Sequence, residues 1–488
     1  MSFTLLGIFT IVLLAGATTV TYNIFLHPLR NYPGPLVARV TDLWYKYHLL
    51  NGTLAFEIKA AHDKYGEVVR VSPNELGYIN PLAWQDIFGH RQGQPENAKD
   101  EQSLIRESRE DDIISAGREH HSFLRRLMAH GFSDKALREQ QPTVNSYVSL
   151  LIQRLQEKAE HGDAINVQDW YNFITFDIIG HLAYSESFDC LSNSTYHPWI
   201  RVLRLYVRAA AYIFAVNRFG ILRKLMWLVL VRSQDRRSRT DHHELVHEKL
   251  LRRLDRNPDY TDLMQNMIDA YRLGKLSLGD LSTNSRVFIV AGSETTATLL
   301  TGFTYFLGAH PDIQSRVTTE IRQTCSSADE IDMNMMGRMP YFIAALEESL
   351  RMYPPGAGTF TRVTPPEGAM ICGKHVPGGT GVGITMYAMN YSAENWQNPE
   401  VYDPERFLPD ETGKWSGDRK EALQPFSVGP RNCIGRNLAR MEMRLIMAQI
   451  LWHFDIALAP NNVELPKQKI YVVWDKTPLW VHLKPVVR

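Results

Sequence analysis

The stretch FSVGPRNCIG, residues 426–435, places a cysteine between two glycines and two residues after an arginine. A cysteine with a packing role is usually a small hydrophobe buried in a helix or strand. Here the glycines and the proline predict a turn in which the backbone bends closely around another group. The chain has four cysteines, which are Cys190, Cys325, Cys372 and Cys433. Because they are widely spaced and form no CxxC pair, neither a disulfide framework nor a zinc site is expected, and a reducing compartment is the simpler interpretation.

The composition of the 488 residues is that of a globular protein, with 44% hydrophobic residues and no internal repeat. Length alone predicts about three domains. Lysine plus arginine and aspartate plus glutamate both total 53, so the formal net charge is zero. A chain without a net positive field gives no indication of a nucleic-acid partner.

The N-terminal segment, residues 3–26, is apolar and contains no Asp, Glu, Lys or Arg. About 20 such residues suffice for a transmembrane helix. The alternative is a cleaved signal peptide with Ala15-Gly16-Ala17 as its cleavage site, but no basic residue follows Met1 and the apolar run continues beyond this site. We therefore expect a transmembrane anchor. The anchor is followed by the basic residues Arg30, Arg39 and Lys46. Because positive charges flanking a membrane helix favour the cytosolic side, they predict that the C-terminal bulk lies in the cytosol.

A short proline-rich segment, residues 27–35 (HPLRNYPGP), follows the predicted anchor. Its prolines cannot continue a helix, so the segment is predicted to be a stiff hinge. The remaining residues, 36–488, would then form the body of the protein.

The body is predicted to be mainly α-helical with a smaller β-rich part. Gly66–Ile79 alternates apolar and polar residues around a turn, which indicates a hairpin. Met370–Met386 combines glycine and proline with short β-branched runs, which indicates short strands. Helical periodicity is found in seven segments, which are His120–His130, Val144–Ala159, Gln234–Arg256, Ser277–Ala309, Asp312–Cys325, Tyr341–Met352 and Ile434–Trp452.

The longest predicted helix, Ser277–Ala309, begins at a serine suited to N-capping and ends before a His-Pro pair. Its middle reads VAGSETTA, residues 290–297. Gly292 would let another group approach the backbone, and the Glu294 carboxyl next to the Thr295 hydroxyl would suit a proton relay. The alternative is that the hydroxyls donate to backbone carbonyls one turn earlier while Glu294 lies on a wet face.

Two charged motifs follow the long helix. Glu348 and Arg351 are three residues apart on one face of a predicted helix, where they can pair. Their apolar flank indicates a buried pair, which requires further polar partners. Arg406, in the sequence DPERF, lies in a loop framed by two prolines.

The order of these motifs resembles one family closely, the cytochrome P-450 superfamily of haem-thiolate monooxygenases. The resemblance rests on AGSETT, ExxR, PERF and FxxGxRxCxG in succession and covers the chain from the proline-rich segment to the C-terminus. It implies a cytochrome P-450 fold with a long central helix over haem. One catalytic domain, residues 36–488, then replaces the three domains that the length suggested.

The resemblance also implies roles for individual residues. Cys433 would be the axial thiolate ligand of the iron in haem b, Phe426 would shield it from water, and Gly429 and Gly435 would let the loop close over the macrocycle. The haem propionates would be held by Arg431, Arg125 and Arg362, with His121 standing where tryptophan is commoner in the family. The residues Glu348, Arg351 and Arg406 would form a structural salt-bridge triad that holds the ligand loop.

The implied reaction uses O2, with Thr295 and Glu294 delivering protons at the distal oxygen site. No GxGxxG fingerprint follows a strand, so electrons from NADPH are expected through a separate membrane-bound flavoprotein reductase. A basic face is predicted that could either dock this partner or simply be solvated. It comprises Arg436, Arg440, Arg444, Arg118, Arg126, Lys135 and Arg138. The anchor would place the enzyme in the endoplasmic reticulum membrane.

The substrate is expected to be an apolar small molecule, because the N-terminal half resembles filamentous-fungal members that oxidise terpenoids and polyketides. Trp199–Val231, apolar but interrupted by basic residues, could be a membrane-facing lid or a packed helix. Two other functions stay open. One is a haem-thiolate enzyme that rearranges a preformed peroxide, which an intact Glu294-Thr295 pair argues against, and the other is a non-catalytic membrane haem protein.

Overall fold

A computed structural model describes residues 2–486 apart from residues 92, 94–95, 106–110, 221–222, 224, 226–245, 257–261, 411 and 461. The described chain is mainly helical with three small sheets, which confirms the predicted fold class. Two large clusters of buried apolar side chains form the core, one among the long helices and one around the largest sheet.

The named helices of the described chain are numbered here in chain order. They are α1 (Ser2–Thr21), α2 (Leu36–Val40), α3 (Leu43–Asn51), α4 (Leu54–Tyr65), α5 (Leu82–Phe88), α6 (Arg118–Ala129), α7 (Asp134–Ala159), α8 (Val167–Tyr184), α9 (Cys190–Asn193), α10 (Pro198–Asn217), α11 (Gln265–Arg272), α12 (Leu278–Ala309), α13 (Pro311–Thr324), α14 (Pro340–Met352), α15 (Met386–Asn390) and α16 (Arg436–His453). A π-helical turn, Tyr22–Leu26, continues α1, and the backbone is also helical over 246–254.

The strands form three sheets. They are β1 (Val68–Ser72), β2 (Glu75–Tyr78), β3 (Ala98–Lys99), β4 (Ile165–Asn166), β5 (Thr359–Val363), β6 (Ala369–Ile371), β7 (Lys374–Val376), β8 (Gly381–Thr385), β9 (Phe454–Leu458) and β10 (Trp480–Pro485). The largest sheet has the order β1-β2-β8-β5-β3, with β2 and β8 parallel and its other pairs antiparallel. The second has the order β4-β10-β9, and β6 pairs with β7.

Most predicted elements are present, with shifted ends. The hairpin within Gly66–Ile79 is β1 and β2. The strands expected in Met370–Met386 are β6, β7 and β8, although Met386 already begins α15. Of the predicted helix Gln234–Arg256, residues 234–245 lie outside the described residues. Of the stretch Trp199–Val231, the backbone is helical in α10, and residues 221–222, 224 and 226–231 lie outside the described residues.

Several helices were not predicted or have other ends, and α7 and α8 are two of the longer ones. Helix α7 begins at Asp134, ten residues before the predicted start, and continues through Pro142. Helix α8 was not predicted because nearly every residue of it is buried, including Asp177. A helix that is buried on all sides carries no periodic polar face in its sequence.

Helix α12, called the central helix below, has the predicted N-cap. Ser277 accepts a hydrogen bond from the Asp280 amide, and the Asp280 carboxylate accepts one from the Ser277 amide. This reciprocal pair satisfies amides that the first helical turn leaves free. At 32 residues the helix is about 48 Å long. A Cβ on Gly292 would lie 2.8 Å from Ile179 of α8, so the glycine permits the close packing of these two helices.

The N-terminal segment contains a helix, Phe9–Leu26, that is long and apolar enough to span a membrane. Its end is fastened to the body of the protein. The Asn23 side chain donates to the Val40 carbonyl, and the buried guanidinium of Arg70 donates to the Asn23 carbonyl. The Arg70 amide also donates to the Pro33 carbonyl. The proline-rich segment is therefore packed against β1.

The residues Glu348, Arg351 and Arg406 lie together in a fully buried charge network. Arg351 donates two hydrogen bonds to the Glu348 carboxylate, at 2.7 and 2.8 Å. The Arg406 guanidinium lies 3.3 Å from Glu348 and 2.7 Å from the carboxylate of Asp418, a residue that sequence analysis did not identify. Two cations thus face two anions, and a balanced set is what a buried site requires.

The network also orders the chain before the cysteine loop. Arg351 donates to the backbone carbonyls of Asn390, Pro399 and Val401, and Arg406 donates to that of Asn398. These bonds fasten the irregular segment between α15 and the cysteine loop onto α14.

We predict that Arg406→Met destabilises the fold by about 3–5 kcal/mol, because it leaves two buried carboxylates with one cation between them. The matched control is Arg272→Met, which removes the half-exposed partner of Asp269 at 3.8 Å and should cost less than about 1 kcal/mol. Chemical unfolding followed by circular dichroism measures both. Equal midpoints for the two variants would contradict the structural role of the network.

Candidate functional site

The cysteine loop is closed by a hydrogen bond from the Cys433 amide to the Phe426 carbonyl, at 2.9 Å. Cys433 is exposed as a residue, while burial of its thiol among the surrounding protein atoms raises the pKa of that thiol. The Gly435 amide and the charges of Arg125 and Arg436 oppose this rise in pKa. The loop therefore presents a sulfur whose thiolate form would be stabilised by a hydrogen bond and two cations.

The two glycines of the loop differ in how much space a side chain would have at their positions. Gly429 has a φ of 76°, and a Cβ there would lie 1.9 Å from the Phe88 carbonyl oxygen. No side chain fits at this position, because the loop packs directly on the end of α5. A Cβ on Gly435 would lie 3.7 Å from Phe132 and 4.0 Å from the Cys433 sulfur, which are ordinary contacts.

The cysteine loop is linked to the central helix through two aromatic rings. Phe132, the neighbour of Gly435, makes an edge-to-face contact with Phe288 of that helix at 5.7 Å. Phe288, Ala291 and Thr295 are three and four residues apart, so they lie on one face of the central helix. Ala291 is exposed although its helix crosses the core, so this face of the central helix is not covered by protein at Ala291.

A cluster of cations lies beside the loop. Arg125 on α6 donates to the backbone carbonyl and the side-chain oxygen of Asn432, next to Cys433. Arg431 donates at 2.8 Å to the Glu96 carboxylate and to the Ala116 carbonyl. The guanidinium groups of both arginines are therefore fixed around the cysteine loop.

Strands β3 and β5 add two more cations to the cluster. Lys99 is the register partner of Arg362, so their side chains lie on one side of the sheet. Burial and the charge of Arg362 lower the pKa of Lys99 to about 7, and burial and the charge of Arg431 lower the pKa of Arg362 to about 10. Sequence reasoning missed Lys99, because a two-residue strand carries no recognisable pattern.

His121 completes the cluster as a buried neutral side chain. Burial and the neighbouring charge of Arg431 lower the pKa of its imidazole to about 4. Among the described residues, Glu96 and Asp112 are the acids that act on the pKa of Lys99, and the cluster sets four basic side chains beside these two carboxylates. Such a surplus of partly desolvated positive charge fits a ligand that carries two carboxylates, as haem does.

The Phe426 ring is half-buried and lies 5.4 Å from the Arg440 guanidinium of α16. Its carbonyl accepts the hydrogen bond from the Cys433 amide, so Phe426 supports the turn through its backbone. Among the described residues, no group of three or more His, Cys, Asp and Glu side chains could hold a metal ion directly. A single accessible thiol suits a metal that arrives with ligands of its own.

The polar residues of the central helix are bonded in two different ways. Thr295 donates its hydroxyl proton to the Ala291 carbonyl at 2.6 Å, which is the backbone bonding given above as the alternative. Its oxygen keeps lone pairs for an acceptor role. Glu294 instead pairs with Lys476, at 2.7 Å between Oε1 and Nζ. Lys476 follows Glu294 by 182 residues, so no local sequence pattern indicates this contact.

A separate cavity of about 720 Å³ lies near the C-terminal end of the central helix. Its lining includes Tyr305, Phe306, Tyr387 and Tyr402. Tyr305 is ten residues beyond Thr295, about 15 Å along the helix axis. This cavity is therefore distinct from the part of the central helix that bears Ala291 and Thr295.

We predict that Gly429→Ala destabilises the protein by at least about 2 kcal/mol, because the new Cβ meets a backbone carbonyl in a left-handed conformation. Gly435→Ala is the matched control and should cost less than about 1 kcal/mol, because its methyl group makes ordinary contacts. Thermal unfolding followed by circular dichroism compares them. If Gly435→Ala were the more damaging change, this assignment of the two glycines would be wrong.

Comparison with known proteins places these motifs in a family. Residues 33–481 match the cytochrome P450 family. A cytochrome P450 monooxygenase (astA) of Talaromyces wortmannii is 42% identical over 468 residues, which are 95% of this chain and 94% of that protein. The averantin hydroxylase of Dothistroma septosporum is 40% identical over 97% of this chain and 90% of its own length. The trichothecene C-15 hydroxylase of Fusarium sporotrichioides is 40% identical over 96% and 95%.

The family match covers both halves of the site described above, the cysteine loop and the middle of the central helix. Membership of this family implies a haem-thiolate centre. The chain belongs to the cytochrome P450 family and is a P450 monooxygenase.

Proposed function

We propose that the protein binds haem b through Cys433 and inserts one oxygen atom of O2 into a C–H or C=C bond of an apolar small molecule. The observation that carries this proposal is the exposed Cys433, in a hydrogen-bonded loop that is linked through Phe132 to Phe288 of the central helix. Ala291 and Thr295 lie on the same face of that helix as Phe288. Haem, when bound, supplies dioxygen reduction and oxygen-atom transfer. The chain itself must hold the haem, place the substrate, exclude bulk water and deliver protons.

The residues that would hold the haem have separate tasks. Cys433 would be the thiolate ligand, with the Gly435 amide donating to its sulfur and thereby tuning its basicity. Phe426 would keep water from that sulfur. The propionates would meet the cation cluster, which comprises Arg125, Arg362, Arg431 and Lys99. His121, neutral beside this cluster, would offer a hydrogen bond rather than a charge.

Proton delivery would belong to Thr295 and Glu294. The Thr295 oxygen can accept a hydrogen bond from a proton donor while its own O–H donates to the Ala291 carbonyl. Glu294 is adjacent, partly accessible and held by Lys476, so it can exchange protons with water. This pair of groups favours dioxygen reduction over rearrangement of a preformed peroxide, which needs no proton supply of this kind.

Electrons would come from NADPH through a separate flavoprotein reductase. Helices α6 and α7 carry four exposed basic residues, Arg118, Arg126, Lys135 and Arg138. These residues would contact an acidic partner. On α16, Arg440 lies 3.5 Å from Glu347 and Arg436 lies beside the cysteine loop. This face is close to the thiolate side of the site, where an electron donor would be most effective.

The location would be the endoplasmic reticulum membrane, with residues 3–26 as a single anchor and the catalytic domain in the cytosol. The apolar N-terminal helix supports this arrangement. The fastening of Asn23 and Pro33 to Arg70 would hold the domain close to the membrane surface.

The substrate class is proposed as terpenoid or polyketide intermediates of fungal secondary metabolism. The support is the similarity, at about 40% identity over nearly full length, to an averantin hydroxylase and a trichothecene C-15 hydroxylase. Similar proteins at this identity share the reaction more readily than the substrate.

The test is product analysis in microsomes that contain the protein and a reductase, with NADPH and a panel of terpenoid and polyketide precursors. The wild type should form an oxygenated product only when NADPH and reductase are present. Thr295→Ala should bind haem and substrate normally but should release more hydrogen peroxide and less product per NADPH, because proton delivery is impaired. Product formation from an organic peroxide alone would favour the rearrangement enzyme, and no product under any condition would contradict the proposal.

A further inference from the structure

The ion pair between Lys476 and Glu294 joins two parts of the chain that the family motifs do not connect. Lys476 lies in the loop before β10, and its side chain is only 5% exposed. Its ammonium lies 2.7 Å from the Glu294 carboxylate and donates to the Thr298 hydroxyl at 2.9 Å. Glu294 and Thr298 are one helical turn apart, so Lys476 lies across the face of the central helix next to Thr295.

The loop that carries Lys476 is held in place on both sides of the residue. Trp474 before it is buried, stacks on Tyr353 at 4.4 Å and donates to the Pro354 carbonyl. Thr477 after it accepts a hydrogen bond from Gln468 at 2.7 Å. The ammonium position is therefore fixed before any ligand binds, as a positioning group requires.

The same loop is seated directly on the central helix. A Cβ on Gly302 would lie 2.6 Å from the Tyr353 ring, so that glycine makes room for the stack of Tyr353 and Trp474. Asp475, the residue before Lys476, pairs with Arg208 of α10 at 2.7 Å. The loop thus bridges α10 and the central helix at the level of the proposed proton relay.

We infer that Lys476 is a positioning residue. It holds the Glu294 carboxylate in one orientation beside Thr295, and it thereby sets the fraction of reduced dioxygen from which an oxygen atom is transferred to the substrate. This inference rests on the proposed function. A glutamate side chain has several rotamers of similar energy, and a desolvated ammonium that also donates to Thr298 selects one of them. Proton delivery then follows one path through Glu294 and Thr295.

The chemical consequence is a choice between two balanced outcomes. In the productive one, substrate, O2, NADPH and one proton give the hydroxylated product, water and NADP+, and the O–O bond breaks. In the other, O2, NADPH and one proton give hydrogen peroxide and NADP+, and the O–O bond survives. Both take two electrons from NADPH, so the peroxide released per NADPH measures how often proton delivery to the distal oxygen fails.

The test compares Lys476→Met with Lys467→Met in the haem-loaded protein. Lys467 lies in the same C-terminal region, is mostly exposed and pairs with Glu464 at 2.7 Å. Lys476→Met should lower product per NADPH by about tenfold, in the range found for groups that orient a reacting side chain. Peroxide should rise correspondingly, and the solvent isotope effect on turnover should increase. Lys467→Met should match the wild type, and Lys476→Arg should restore part of the lost product.

A double-mutant cycle separates positioning from general damage. Lys476→Met in a Glu294→Gln background should have little further effect on product per NADPH, because its target is already gone. In thermal unfolding, each single change should lower the Tm, and the double variant should be no less stable than the worse single one. An unchanged peroxide yield in Lys476→Met would overturn the inference. Additive effects of the two changes on both the product per NADPH and the Tm would overturn it as well.

Failure of the proposed function would look different. The wild type would then give no NADPH-dependent product with any substrate. The peroxide formed per NADPH without substrate, and the additivity of the Tm changes, would still decide whether Lys476 acts on Glu294.

Discussion

The buried charge network of Glu348, Arg351, Arg406 and Asp418 is the constraint on which the haem side of the molecule depends. Charges without access to water are tolerated only when they are matched and hydrogen-bonded, and here two cations face two anions. The guanidinium groups use their remaining N–H donors on backbone carbonyls of the irregular segment before the cysteine loop. This segment has little regular structure of its own, so its conformation follows from the network.

The cysteine loop completes the arrangement by packing against the rest of the body. Gly429 rests on the Phe88 carbonyl, and Phe132 links the turn at Gly435 to Phe288 of the central helix. On the same face of that helix as Phe288, Ala291 remains exposed although the helix itself crosses the core. A fixed thiol, an open helix face and a surplus of cations beside them form a site that suits a flat, dicarboxylate cofactor between the two elements.

Sequence reasoning identified the parts of the site that depend on local patterns. The Ser277 cap, the hairpin and the spacing of Glu348 and Arg351 are visible because their partners lie within a few residues. Asp418, Lys99 and Lys476 were not identified, since each meets its partners only after the chain has folded. Helix α8 was missed for a related reason, because a fully buried helix has no periodic polar face. Position in the fold, rather than residue type, gives these residues their importance.

The central claim is that Cys433 is the axial thiolate ligand of a haem iron, and the ferrous–carbon monoxide difference spectrum tests it most directly. The wild type should show the long-wavelength band typical of thiolate-ligated haem, because the thiolate donates electron density to the iron. Cys372→Ser, a change at a half-buried cysteine outside the loop, should leave that band unchanged. Cys433→Ser should lose it, even when haem is retained. A long-wavelength band of normal intensity in Cys433→Ser would contradict the account.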